Sequence, residues 1–158
     1  MGGTLSIFRH QAQVLVMGLE GAGKSTMVGK VTMNQQPAVP VAGFAVQTLT
    51  LGKLSLQVWD VGTARMPQLR PLMESYYPNT EGLVYIVDSA DCGRLKQARD
   101  ELATVLGNVH LMEVPVLVMA NKSDLPGSAS ADDIADALDL KTLVPSGRWH
   151  VQCTNSLT

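Results

Sequence analysis

The chain has 158 residues, 46% of them hydrophobic and 16% charged, with a formal charge of −2. That length holds one domain, residues 1–158, and the apolar fraction excludes an intrinsically disordered chain. The near-neutral balance excludes a general nucleic-acid binder, no apolar run approaches the roughly 20 residues of a membrane span, nothing at the start resembles a secretory signal, and Cys92 and Cys153 are too few for a disulfide scaffold, so the expected setting is cytoplasmic.

Residues 1–10 read as an N-terminal extension. Met1-Gly-Gly-Thr-Leu-Ser6 fits the pattern M-G-x-x-x-[ST], which makes Gly2 a candidate for N-myristoylation, with Leu5, Ile7 and Phe8 as a short apolar patch beside the lipid. The alternative is a frayed terminus. Val14 to Met17 is a short run apolar at every position, which reads as a strand buried on both faces. A helix is expected from Lys24 to about Gln35. Phe44 to Leu51 and Leu54 to Asp60 flank Gly52-Lys53 and suggest a hairpin. Two more buried strands are expected at Leu83 to Val87 and at Val114 to Met119. Between them, Arg94 to Leu106 places Leu95, Ala98, Leu102, Val105 and Leu106 at helical spacing. Ser130, followed by Asp132 and Asp133, looks like the cap and acidic first turn of a helix running to about Leu138. Trp149 to Cys153 is the last strand. Alternating strands and helices imply a three-layer α/β domain with a mostly parallel six-stranded sheet and one antiparallel edge strand.

Three motifs carry chemistry. Gly18-Leu19-Glu20-Gly21-Ala22-Gly23-Lys24-Ser25 fits the phosphate loop G-x-x-x-x-G-K-[ST]. Glycines let the backbone wrap so that successive N–H groups meet phosphate oxygens, and the following helix adds its positive N-terminal end. Lys24 would bridge the β and γ phosphates, and the Ser25 hydroxyl would ligate Mg²⁺. A bare glycine turn would explain neither the strand before it nor the helix after it. Asn121-Lys122-Ser-Asp124 follows a strand end. The Asp124 carboxylate can accept two hydrogen bonds, from guanine N1 and N2, a donor pair that adenine lacks. Asn121 can reach N7, and the Lys122 stem can lie along the base. Asp60, at the end of another strand, can hold Mg²⁺ through a water.

Taken together, Gly18 to Thr26, Gly43-Phe44, Val58-Trp-Asp-Val-Gly62, Arg70-Pro-Leu72, Tyr76-Tyr77, Asn79-Thr80, Val87-Asp-Ser89 and Asn121 to Pro126 resemble the ADP-ribosylation-factor-like (Arf/Arl) branch of the Ras-superfamily small GTPases, over about Gln11 to Gln152. The resemblance implies the small G-protein fold, GTP and GDP with Mg²⁺ as ligands, and a regulatory role in vesicle trafficking and signalling at membranes. Implied partners are an exchange factor and protein effectors, the latter docking on an apolar surface that includes Phe44, Trp59 and Tyr76. Core filling is the competing reading of those aromatics. Gly62 and Thr26 fall in matching nucleotide-contact positions. Gln152 to Ser156 sits where the family has a second guanine loop, which adds Asn155 and the Ser156 backbone N–H to the base contacts.

The departures concern the γ-phosphate. Where the family carries a switch I Thr after Pro, Pro40 is followed by Val41, and Ala42 lacks a hydroxyl too. Thr63 stands in place of the switch II Gly, and Ala64 in place of the Gln that orients the attacking water; Arg65 is a substitute only by proximity. GDP binding is expected to survive and hydrolysis to be weak. The family also continues into a closing helix over the sheet, whereas this sequence stops at Thr158, so the expectation is either a truncated chain or a partner over that face. Two rivals remain: a GDP-bound pseudo-GTPase that serves as a docking module, and a phosphate-loop kinase, which the Asn121 to Asp124 motif disfavours. His10, His110 and His150 show no metal spacing with the cysteines.

Overall fold

A run with no polar face is satisfied only in a sheet covered on both sides. The computed structural model, which describes residues 11–31, 40–41, 44–60 and 66–155, builds that run into β1, Ala12–Gly18, near the middle of the sheet. The other strands are β2 (Pro40–Val41), β3 (Phe44–Leu51), β4 (Leu54–Asp60), β5 (Gly82–Asp88), β6 (Val116–Asn121) and β7 (Trp149–Cys153). Their order is β2-β3-β4-β1-β5-β6-β7. β4, β1, β5, β6 and β7 are parallel neighbours, and β3 runs against β4 through the Gly52-Lys53 hairpin. The six expected strands are all there. The two-residue β2 adds a seventh beyond β3, so the antiparallel strand lies one place in from the edge.

Alternation along β1 feeds two cores. Leu15 and Met17 join the larger one, with Leu83, Tyr85, Val116, Val118 and the helices α3 (Leu95–Leu106) and α4 (Ala131–Ala137). Val16 faces the other side with Val58, Ile86 and Ala22, against which Met27 of α1 (Lys24–Val31) packs. The described part of α1 stops at Val31, so the expected extension to Gln35 lies outside the described residues. All five apolar positions foreseen for α3 are buried. The helix begins one residue later than expected, because Cys92–Arg94 forms a 3-10 turn ahead of it. Ser130 caps α4 as its sequence suggests, its Oγ accepting from the Asp133 N–H at 3.1 Å.

Two helices were not foreseen. α2 (Met66–Glu74) carries Pro71 in its interior, where the missing N–H hides the helical signal. Burial of Met73, with Leu69 packed on the same core, holds it in place. α5 (Leu140–Leu143) is a single turn, too short to show a period. β6 starts at Val116 rather than Val114, since Pro115 has no N–H for the ladder, and it ends on Asn121 itself. Tyr77, just past α2, is sealed against this core; burial, then the Glu74 carboxylate, pushes its phenol up to about 12.

Candidate functional site: two loops at the carboxyl end of the sheet

β1 ends on a glycine for a steric reason. A Cβ at position 18 would lie 2.3 Å from the Ile86 carbonyl oxygen of β5. Beyond it, Gly21 and Gly23 adopt φ of 80° and 96°, a left-handed backbone that side chains resist. The loop therefore coils tightly between β1 and α1, and its carbonyls are captured one after another. The Lys24 ammonium, buried at 3% exposure, donates to the carbonyls of Gly18 and of Leu19, the latter at 3.0 Å. Arg94 Nη1 donates to the Glu20 carbonyl at 2.8 Å. Lys122 Nζ reaches the Gly21 carbonyl at 2.9 Å, and Asn121 Nδ2 the Ala22 carbonyl at 2.9 Å.

A trans peptide points its N–H opposite to its C=O. With Glu20 and Ala22 tethered in this way, the N–H groups of Gly21 and Gly23 face the other side of the loop, while the Ala22 N–H turns back to the Leu19 carbonyl at 3.2 Å. The result is an anion cradle at the start of α1, where Ser25 and Thr26 are exposed.

The guanine-type motif is held against this cradle. The parallel register pairs Asp88 with Asn121, which brings the Asp88 carboxylate to Lys122 Nζ at 2.9 Å. Lys122 has φ of 59°, a left-handed conformation that breaks the extended run of β6. Its ammonium bridges Asp88 and the phosphate loop, a contact compatible with the stem lying along a base. Asn121 is fully buried, and its backbone carbonyl accepts from Ser89 Oγ at 2.6 Å. Ser123 donates through both N–H and Oγ to the Thr154 carbonyl, which fastens the loop to the segment after β7 that carries Asn155. Asp124, two residues on from Lys122, is exposed.

The carboxylate oxygens of Glu101, on α3, are buried. Burial raises its carboxyl above the usual range, while nearby cations, Lys24 foremost, pull it back.

Two residues whose types carry oxygen side chains suited to Mg²⁺ stand on neighbouring elements at the same end of the sheet. Ser25 is the second residue of α1, and Asp60 ends β4, the strand beside β1. This set of hard oxygens fits a magnesium nucleotide, and Val41 contributes none.

The aromatic positions divide. Trp59 is 1% exposed inside the larger core, with Tyr76 edge-on to it at 5.0 Å and 79°. It is therefore core, against the surface expectation, because β4 alternation turns it towards Met73 and Tyr77. Tyr76 is 39% exposed. The Phe44 and Asp60 side chains, Ala42, Gly62, Thr63, Ala64, Arg65, Ser156 and residues 1–10 with Gly2 lie outside the described residues.

Sequence reasoning gave no role to Asp88, Ser89, Arg94 or Thr154. Asp88 and Ser89 stood in a recognisable motif, but only the β5–β6 register brings them to the guanine loop.

A model of the ADP-ribosylation factor family matches residues 3–158. Among solved structures, that of the Arl6 BBS3 small GTPase from Trypanosoma brucei, with the nucleotide analogue GppNp bound, is similar at 30% sequence identity and a TM-score of 0.75, covering 92% of this chain and 87% of that one.

Proposed function

The chain belongs to the ADP-ribosylation factor family, and from that premise we propose that it is a guanine-nucleotide-binding regulator at membranes that favours GDP and hydrolyses GTP weakly. The observation that carries the reading is the direct tie between the loops. Asn121 and Lys122 bond to Ala22 and Gly21, so a base accepted by Asp124 is set in register with a diphosphate in the cradle.

Lys24 would exchange its two loop carbonyls for phosphate oxygens, trading neutral acceptors for charged ones. Ser25 and Asp60 would hold Mg²⁺, which neutralises phosphate charge when bound. Three residue types that the family uses against the γ-phosphate are replaced in this sequence. Val41 has no hydroxyl, and its backbone is paired with Phe44 at the sheet edge. Ala64 has no polar atom to orient a water, and Thr63 carries a Cβ where the family has Gly. These same features favour a second reading, a GDP-bound docking module without turnover.

Nucleotide titration and single-turnover hydrolysis test the proposal. The chain should bind GDP more tightly than a non-hydrolysable GTP analogue, and the Thr63→Gly/Ala64→Gln double variant should hydrolyse GTP about 100-fold faster than the natural chain, equivalent to about 2.7 kcal/mol of barrier. Equal affinities and a rate untouched by the double variant would remove the idea of a lost γ-phosphate response. No turnover in either protein, with GDP held, would favour the docking module.

The membrane part of the proposal rests on Gly2 and the apolar residues Leu5, Ile7 and Phe8. Coexpression with an N-myristoyltransferase should yield an acylated chain that sediments reversibly with vesicles, as one acyl chain allows. Gly2→Ala should abolish both effects. Unmodified natural chain after coexpression would count against a lipid anchor.

A further inference from the structure

The Glu20–Gly21 peptide is the weak point of the phosphate loop. Glycine at 21 accepts φ of either sign, so this peptide plane can flip and turn the Gly21 N–H away from the cradle. The guanine loop braces the carbonyls of Gly21 and Ala22, but the bond to the Glu20 carbonyl comes from elsewhere, from Arg94 Nη1 at 2.8 Å. Arg94 occupies the N-cap position of α3, where its donor-only guanidinium has no acceptor to offer the helix N–H groups. It crosses instead to a loop 74 positions earlier in the chain and lines a partly open cavity behind that loop, with Leu19, Asp88 and Asp91. Its other bond, from Nε to Gln97 Oε1, is long at 3.5 Å.

We propose that Arg94 is a positioning residue for nucleotide binding: its guanidinium locks the Glu20–Gly21 peptide so that the Gly21 N–H stays turned to the diphosphate. The proposal rests on the guanine-nucleotide reading above. A charge-assisted bond of this kind resists the flip without touching the ligand, so its loss should appear in nucleotide release and leave the empty fold intact.

The test uses the full chain loaded with a fluorescent GDP analogue and chased with unlabelled GDP. Arg94→Ala should release the analogue about tenfold faster than the natural chain. Arg94→Lys keeps a charged donor for the Glu20 carbonyl and should stay within about threefold. The thermal midpoint of the nucleotide-free protein should be the same in all three, while the upward shift produced by GDP should shrink in Arg94→Ala alone. Unchanged release from Arg94→Ala overturns the proposal. So does faster release that Lys does not rescue and that comes with a lowered nucleotide-free midpoint, since that pattern marks a general loss of fold. A natural chain that binds no GDP at all sinks the guanine reading itself, and is distinguished by the first titration.

Discussion

Replacing Asp124 with Asn is expected to lower GDP affinity by about 100-fold or more and to create affinity for xanthosine diphosphate. The reason is donor and acceptor count. A carboxylate accepts from two neighbouring guanine donors, and each such bond to a charged group contributes about 1.5 to 3 kcal/mol. Asn offers one acceptor and one donor, so its NH₂ faces the guanine amino group and one pairing is lost. Xanthine carries an oxygen at that position and restores it. Sites built on hydrogen bonds discriminate strongly for this reason. Asp124 is exposed, and the loop is fastened by the bonds from Ser123 to Thr154, so the fold should be unaffected by the exchange. Competition between GDP and xanthosine diphosphate for the same fluorescent probe reads the result. If the variant keeps its GDP affinity, Asp124 does not read the base.

The same substitution chemistry at two glycines should have opposite signs. Gly18→Ala is expected to cost about 3 kcal/mol or more, because its Cβ would meet the Ile86 carbonyl oxygen at 2.3 Å and that atom belongs to the backbone of a central strand. Relief would require β1 and β5 to part beside the phosphate loop, so GDP binding should fail together with stability. Gly29→Ala lies in α1, with nothing within 4 Å of the added atom. There Ala restricts the unfolded chain and suits the helix, for a gain of up to about 1 kcal/mol. Urea midpoints of the two variants give the comparison. A Gly18→Ala protein as stable as the natural one would show that the close approach of the strands is not obligatory.

Much of the fold was legible because its signals are local. Leu95, Ala98, Leu102, Val105 and Leu106 mark a buried helix face by spacing alone, and the Gly52-Lys53 hairpin is a matter of neighbouring residues. α2 was hidden because Pro71 argues against a helix, and only Met73 and Leu69 meeting a core made elsewhere outweigh it. Trp59 was legible as important but not as inside or outside, since its partners Met73, Tyr76 and Tyr77 come from a later segment.

The candidate site divides along the same line. The cradle residues, the guanine-type motif and the residue types missing at 41, 63 and 64 could all be read from the chain, because each is a run of chemistry within a few positions. How the two motifs become one site could not. The Asp88–Lys122 pair, the bonds from Asn121 and Lys122 to the phosphate loop, and the reach of Arg94 to Glu20 join residues 34 to 101 positions apart. Sequence by itself determined which groups are present and their local geometry. Tertiary structure decided which of them meet, because strand order and register set distances that no spacing along the chain encodes.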